Sequence, residues 1–253
     1  MHRSHHRWYS RSLNRDLDLL IFGHAGPPMI VFPSSMGAFF EYEDRGMVGS
    51  LGGKLADGAL QLYCVSSVDT ESWYNRQVHP RQRVRRHLQY EDYLLNDVVP
   101  LIHHLNPHST IGLTGCSFGA YHAMILALRQ PYAFTCCVTM SGAFDITQFL
   151  DGYFDEDCYF LNPPSFLPNL SDDYYLRQYR RNKWILATGE WDICRSVPCG
   201  KSEAAEHLVI SGLQNFPELG RILIELLVKG RAVQLSIWRD DLAHDVINSL
   251  RPQ

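Results

Sequence analysis

The stretch STIGLTGCSFGAYHAMILALRQP, residues 109–131, decides the fold. An apolar run ends at Thr114, the motif GCSFG follows at 115–119, and small or apolar residues then recur at helical spacing up to Pro131. This order predicts a strand, a tight turn and a helix. A serine between two glycines on such a turn is typical of a nucleophile elbow, where the hydroxyl is exposed and the helix N-terminus faces a developing oxyanion.

Ser117 is therefore the candidate nucleophile, and the N–H of Phe118 is a candidate donor to an oxyanion hole. The alternative is a structural serine in an ordinary turn, because a bare glycine-serine-glycine pattern occurs by chance in many chains of this length. Cys116 could also be considered as an attacking thiol, but it occupies a flanking position of the motif.

Further apolar runs surround this strand and are separated by segments of helical character. Most are continuously apolar, as expected of strands buried on both faces of a parallel sheet. Residues 90–106 place leucine, valine and isoleucine on one helical stripe, which predicts a crossover helix. The pattern indicates an α/β fold with a mostly parallel central sheet flanked by helices. The other runs are 17–23, 29–34, 60–67, 134–142, 184–189 and 232–238.

Composition narrows the class of protein. The chain has 253 residues, of which 45% are hydrophobic, and this suits a single domain spanning 1–253. A net charge of -4 gives no overall positive field to attract nucleic acid or an anionic membrane, so we expect neither as a partner. No run is long and apolar enough to span a membrane. Seven cysteines without paired spacing favour reduced thiols and a cytoplasmic location.

A serine nucleophile needs a base, and the base needs an orienting acid. On this kind of fold the chain order is serine, acid, histidine. Asp192 follows the run at 184–189 and is the candidate acid, with Glu190 as its competitor. His244 follows the last run and is the candidate base, whereas His207 lies in a segment of helical pattern.

The loop after the run at 29–34 should supply the second oxyanion donor, and Ser35 and Met36 are the candidates. Aromatic side chains near the expected site are candidates for binding substrate, with core packing as the alternative. They are Trp73, Tyr74, Phe144 and Phe149, and then Tyr153 and Phe154.

Three other patterns favour surface roles. The arginines of segment 76–90 could recognise an anion, but a solvated or salt-bridged surface is the preferred interpretation. The acids of 151–157 do not match the spacing of a calcium loop. The histidines of 103–108 are separated by a helix-ending Asn-Pro pair. We therefore expect no metal site and no cofactor.

Several stretches together resemble the putative esterase family of the α/β-hydrolase superfamily, which includes esterase D-like S-formylglutathione hydrolases, feruloyl esterases and mycolyl transferases. The resemblance implies an α/β-hydrolase fold and acyl transfer by Ser117, Asp192 and His244. The stretches are GHAGPPMIVFPSSMGAFFEYEDRGM, GCSFGAYHA, MSGAFDITQFLDGY, LATGEWDIC and DDLAHD. Separately, prolines, acids and aromatics interrupt the strand and helix pattern at 151–178, which predicts a small cap or pocket-wall excursion between the sixth and seventh strands.

The expected activity is that of a serine carboxylesterase that hydrolyses small acyl esters through an acyl-enzyme intermediate. A thioesterase of the S-formylglutathione hydrolase type and an acyltransferase are alternatives with the same motifs. A further alternative is a catalytically weak interaction protein on the same fold. The expected partner is a small-molecule ester, with a homo-oligomer possible. The chain departs from the family where Ala120 replaces a second glycine, in a long segment at 195–218, and in a short C-terminus.

Overall fold

The computed structural model describes residues 1–187 of the chain. These residues form a seven-stranded sheet flanked by helices. The strands, in chain order, are β1 Arg3–Ser10, β2 Arg15–Phe22, β3 Pro28–Phe32, β4 Gln61–Val65, β5 Ile111–Cys116, β6 Phe134–Met140 and β7 Lys183–Ala187.

The strand order across the sheet is β1-β2-β4-β3-β5-β6-β7. Strands β1 and β2 pair antiparallel, as do β2 and β4, and every other described pair is parallel. Because β4, β3 and β5 are adjacent and parallel, the loops that follow their carboxyl ends meet at one edge of the sheet. These three loops build the candidate site.

Six of the predicted runs correspond to β2 through β7, and the run at 232–238 lies outside the described residues. The sequence did not predict β1, whose half-buried side chains alternate with exposed ones and include only Trp8 as a large apolar residue. An amphipathic edge strand of this kind lacks the continuous apolar pattern of the central strands.

Helices cover both faces of the sheet, and most of the early ones are short. The α-helices are α1 Glu41–Asp44, α2 Met47–Ser50, α3 Gly52–Ala56, α4 Pro80–Tyr93, α5 Val99–Leu105, α6 Phe118–Arg129, α7 Glu156–Leu161, α8 Pro163–Phe166 and α9 Asp173–Arg181.

The predicted crossover helix is present as α4 and α5, joined by a π-helical turn over Leu94–Val98. Pro100 lies in the first turn of α5, and its missing N–H cannot continue the regular hydrogen bonding of α4. Of the predicted apolar stripe, Val98 and Ile102 are fully buried, whereas Leu105 at the helix end is exposed.

The core has two parts because successive side chains of a strand point to opposite faces. In β3, Ile30 and Phe32 join the larger cluster, which packs under α4, α5 and α6. Met29 and Val31 of the same strand join the smaller cluster under α3. The continuously apolar run that predicted β3 thus reflects burial on both faces.

The segment at 151–178 lies between β6 and β7, as predicted, and contains α7, α8 and the start of α9. Its Asn162 side chain accepts a hydrogen bond from the Ile146 N–H at 3.1 Å. The Tyr121 hydroxyl of α6 donates to the Leu161 carbonyl at 3.0 Å. These contacts anchor the excursion to the loop after β6 and to the helix that follows the candidate nucleophile.

Within residues 1–187, no helix combines the length and the apolar character that crossing a membrane requires. The single-domain, cytoplasmic and homo-oligomer expectations stay predictions.

Candidate active site

The candidate nucleophile lies on a strained turn between β5 and α6. Ser117 has φ 57° and ψ -119°, a backbone conformation that residues with a Cβ adopt only at an energetic cost. Its N–H donates to the Met140 carbonyl of β6 at 2.9 Å, and its carbonyl accepts from Ala143 at 3.4 Å. The sharp turn is therefore fixed by backbone bonds to the neighbouring strand and the loop after it.

The two glycines of the motif are required because a Cβ at either position would collide with backbone atoms. A Cβ at Gly115 would lie 2.3 Å from the carbonyl carbon and oxygen of Gly119. A Cβ at Gly119 would lie 2.4 Å from the carbonyl oxygen of Pro33. The turn, which we call the elbow (residues 115–119), can thus close tightly and pack against the loop after β3 only because both positions lack side chains.

The start of α6 supplies one candidate oxyanion donor. Phe118 is the first helical residue, so its N–H has no acceptor within the helix. The helix dipole places partial positive charge at this end, which favours a developing anion beside Ser117. The Phe118 side chain itself is buried and packs on Tyr121, with ring centroids 4.9 Å apart.

The loop after β3, which we call the oxyanion loop (residues 33–37), is held by two carboxylates. Glu41 accepts the Ser34 N–H at 2.7 Å and the Ser34 hydroxyl at 2.6 Å. Asp69 accepts the Met36 N–H at 3.0 Å. The Gly37 N–H donates to the Ser34 carbonyl at 2.8 Å. Three backbone donors of this loop are therefore already engaged.

Ser35 is the residue of the oxyanion loop whose N–H has no acceptor among residues 1–187. Its hydroxyl accepts a hydrogen bond from the Tyr74 hydroxyl at 2.9 Å, which fixes the side chain. Of the two predicted donors, Met36 is engaged by Asp69 in this structure, and Ser35 offers an N–H beside the elbow.

The four predicted substrate-binding aromatics fall into two classes. Tyr74 and Phe144 are half-buried, and the Phe144 ring folds back over Gly142 in the loop next to the elbow. Tyr74 packs against the rings of Phe118 and Phe149 at 5.5 Å and 4.9 Å. These placements suit a pocket wall.

The other two aromatics are buried. Trp73 has no exposed surface and packs on Tyr121 and His87, which matches the core-packing alternative. Phe149 is also buried and backs Tyr74 from beneath. Tyr153 is half-buried and Phe154 is exposed on the excursion.

The rest of the predicted triad lies outside the described residues. This holds for Asp192, its competitor Glu190, the candidate base His244, and His207. Their roles stay predictions.

Comparison with protein families identifies the family and the enzyme class of this protein. The family model described as Putative esterase matches residues 63–201, more than half of the chain and including the elbow. The chain belongs to the putative esterase family. It is an enzyme of the carboxylic ester hydrolase class, as the sequence predicted.

Solved structures confirm the α/β-hydrolase fold. A ferulic acid esterase is 12% identical, with 98% of this chain and 97% of that chain covered and a TM-score of 0.65. The MPT51 protein of Mycobacterium tuberculosis is 13% identical, with 99% and 100% covered and a TM-score of 0.60. The substrate-bound fluorophosphonate-binding serine hydrolase F of Staphylococcus aureus is 14% identical, with 99% of each chain covered and a TM-score of 0.58. No curated protein matches the sequence significantly.

Beneath the site, the esterase contains a buried hydrogen bond between a histidine and a carboxylate that the sequence analysis missed. His122 of α6 and Asp69 after β4 lie 2.8 Å apart, from Nε2 to Oδ1, and both side chains are almost completely buried. The signal was present in the sequence, since His122 interrupts an otherwise apolar helix and Asp69 follows a buried strand. Polar residues in such positions need partners.

A second buried cluster, formed by His87, Glu91 and Arg129, lies next to His122 and Asp69. The His87 ring stacks on His122 at 5.4 Å, and Glu91 lies 3.4 Å from His87 Nε2 and 2.9 Å from Arg129 Nε. Burial lowers the pKa of His87, which favours the neutral imidazole. Burial acts to raise the pKa of Glu91, but the neighbouring His87 and the charge and hydrogen bond of Arg129 hold it below its usual value.

The arginines of segment 76–90 include several in salt bridges. Arg83 is buried and binds Asp151 at 2.7 Å, and Arg76 binds the other carboxylate oxygen of Asp151. The hydrogen bond from Arg83 is the main reason that the pKa of Asp151 is lowered. Arg86 pairs with Glu71. These pairs match the salt-bridged interpretation rather than an anion site.

Proposed function

We propose that this esterase is a serine carboxylesterase that hydrolyses small acyl esters through an acyl-enzyme at Ser117. The observation that carries the proposal is the elbow, where a serine at φ 57° is held between a strand and a helix N-terminus by two glycines that tolerate no Cβ. A structural turn serine has no need of such strain.

In the first step of the proposed reaction, His244 removes the Ser117 proton and the oxygen attacks the ester carbonyl. The N–H groups of Phe118 and Ser35 would stabilise the oxyanion of the tetrahedral intermediate. When this collapses, His244 gives its proton to the departing alcohol. Water, deprotonated by His244, then attacks the acyl-enzyme, and the acid is released as His244 returns the proton to the Ser117 oxygen. Asp192 orients the imidazole throughout.

The described wall of the site suits an uncharged acyl or alcohol group. Tyr74 and Phe144 are aromatic and half-buried near the elbow. The nearby arginine Arg76 is already paired with Asp151. This supports an apolar ester and offers little to an anionic substrate.

A fluorophosphonate probe tests the nucleophile directly. We expect the wild-type protein and Cys116→Ala to be labelled and Ser117→Ala not to be, because the probe reacts with an activated serine. Labelling that survives in Ser117→Ala would place the reactive nucleophile at another residue. No labelling of the folded wild-type protein would favour the interaction-protein alternative.

A substrate panel then separates the hydrolase alternatives. Matched p-nitrophenyl esters and thioesters of increasing acyl length, each with and without an added alcohol acceptor, report leaving-group preference and acyl transfer. We expect ester hydrolysis to exceed the other two reactions for short acyl chains. A higher kcat/KM on thioesters, or acyl transfer that exceeds hydrolysis, would replace the proposal by the corresponding alternative.

The acid is tested by paired variants. Asp192→Asn should keep the fold but lower turnover by about 10³-fold or more, because the imidazole loses its orienting carboxylate. Glu190→Gln should cost much less. The reverse order, with both proteins folded, would make Glu190 the orienting acid.

A further inference from the structure

Asp69 connects three segments that meet at the site. Its side chain has no exposed surface, and its two carboxylate oxygens have different partners. Oδ1 accepts from His122 Nε2 at 2.8 Å, and Oδ2 accepts from the Met36 N–H at 3.0 Å. Because His122 lies in the elbow helix and Met36 in the oxyanion loop, one carboxylate links the two halves of the candidate oxyanion hole to the loop after β4.

The hydrogen bond from Met36 to Asp69 stabilises an unfavourable backbone conformation in the oxyanion loop. Met36 has φ 55°, a left-handed backbone that is unfavourable for a residue with a long side chain, and that side chain is exposed. Exposed apolar atoms contribute little packing to hold such a conformation. A charge-assisted hydrogen bond from the Met36 N–H to a buried carboxylate is strong enough to do so.

His122 holds the carboxylate in turn. A carboxylate oxygen accepts hydrogen bonds, so we assign the proton of this contact to Nε2 of His122. The imidazole is confined by the rings of Phe32 and Phe118, at 5.9 Å and 5.1 Å. Asp69 therefore cannot turn away from the loop without leaving a buried charge unpaired.

The same loop after β4 makes a second contact with the oxyanion loop. The Tyr74 hydroxyl donates to Ser35 Oγ, and the Tyr74 N–H donates to the Asp69 carbonyl at 2.9 Å. Asp69 and Tyr74 thus hold the residues on either side of the peptide that links Ser35 to Met36.

We propose that Asp69 is a positioning residue that, supported by His122, fixes the oxyanion loop so that the Ser35 N–H can serve as the second oxyanion donor. This rests on the proposed serine esterase function. Since the oxyanion exists only in the transition state and the intermediates, loss of the contact should lower kcat and leave KM nearly unchanged.

The test compares three variants on one activated ester. We expect Asp69→Ala to lower kcat by about 10²-fold, the scale seen when an oxyanion donor is lost, with KM within about threefold of wild type. Asp69→Asn should recover at least tenfold of this loss, because the amide oxygen can accept from Met36 while the amide nitrogen donates to the other tautomer of His122.

Glu91→Gln is the matched control. Glu91 is a buried carboxylate with histidine and arginine partners, but it has no contact with the oxyanion loop. We expect it to lower the melting temperature and to keep kcat within about twofold. If Glu91→Gln lowers kcat as much as Asp69→Ala does, the effect of Asp69 is general destabilisation and the proposal is wrong.

Hydrogen exchange gives a measurement that does not depend on turnover. The Met36 amide should exchange at least tenfold faster in Asp69→Ala than in wild type or Glu91→Gln. If Asp69→Ala does not fold, Asp69→Asn and His122→Phe replace it. His122→Phe keeps the ring shape, removes the donor to Asp69, and should lower kcat by about tenfold.

The outcomes separate this proposal from the proposed function. A wild type that reacts with fluorophosphonate at Ser117, with kcat and Met36 exchange unchanged in Asp69→Ala, overturns the role of Asp69 alone. A folded wild type that neither reacts with the probe nor hydrolyses any ester overturns the serine esterase function and, with it, the catalytic purpose of the contact.

Discussion

Two loops meet at the candidate active site, and they keep their shapes in different ways. The steric requirement of the elbow lies in its own residues, since glycines at 115 and 119 permit the close approach, and backbone bonds then join it to β6 and the loop that follows. The oxyanion loop depends on side chains from elsewhere in the chain, namely Glu41, Asp69 and Tyr74. One half of the site is therefore encoded locally, and the other exists only when distant segments have packed.

The largest expected effect comes from the elbow itself. Ser117→Ala should reduce ester turnover by about 10³-fold or more, because the proposed nucleophile is lost, while the fold is kept. Cys116→Ala is the control and should retain most activity. The measurement is kcat/KM with circular dichroism on the same samples, and more than a tenth of wild-type activity in Ser117→Ala would contradict the mechanism.

Gly115→Ala tests whether the elbow is sterically self-determined. The new Cβ would lie 2.3 Å from backbone atoms of Gly119, so we expect a loss of about 3 kcal/mol in the free energy of unfolding. Gly49→Ala, in α2, meets no atom within 4 Å and should be neutral or slightly stabilising. Urea unfolding measures both, and equal stabilities would show that the elbow has room to adjust.

Glu41→Ala tests the dependence of the oxyanion loop on remote side chains. The variant removes both hydrogen bonds to Ser34, and we expect kcat to fall by about tenfold because a donor is displaced rather than deleted. Glu43→Ala is the control, since Glu43 pairs with Arg3 and has no contact with the loop. Equal activity of the two variants would mean that this half of the site is also held by its backbone.

The smallest expected effect is a pH dependence of stability that arises from His87, which is buried beneath the two loops. Burial lowers the pKa of His87, so the unfolded chain takes up a proton at higher pH than the folded protein does. Stability should be constant above about pH 6.5, the ordinary histidine value, and decline as the pH falls towards the lowered pKa. Glu91, whose pKa is also lowered, should add a further loss only below its ordinary value of 4.5.

Melting temperatures between pH 8 and 5 measure this decline. His87→Phe should flatten the curve between pH 6.5 and 5, whereas His103→Gln, at an exposed position, should leave it unchanged. A wild-type curve that is flat over this range would show that His87 is not buried as a neutral group.

Sequence reasoning was most successful where short-range patterns control structure. Continuous apolar runs predicted β2 through β7, and the glycines around Ser117 predicted the strand, turn and helix. It failed at β1, because an edge strand with one polar face has a weak pattern. For Trp73 it left pocket wall and core packing open, because aromatic character alone does not distinguish core from cleft, and the structure shows that this ring is completely buried.

The sequence by itself thus determined the family, the α/β class and the place of the candidate nucleophile, because each depends on neighbours in the chain and on the periods of strand and helix. Only the tertiary structure decided that Asp69 reaches both Met36 and His122, and that Ser35 rather than Met36 keeps an N–H without an acceptor among residues 1–187. These contacts join segments 33 to 53 residues apart. The physical reason is that a buried carboxylate binds the donors that the packed sheet and helices bring close to it. The residues next to Asp69 in the sequence therefore do not predict its partners.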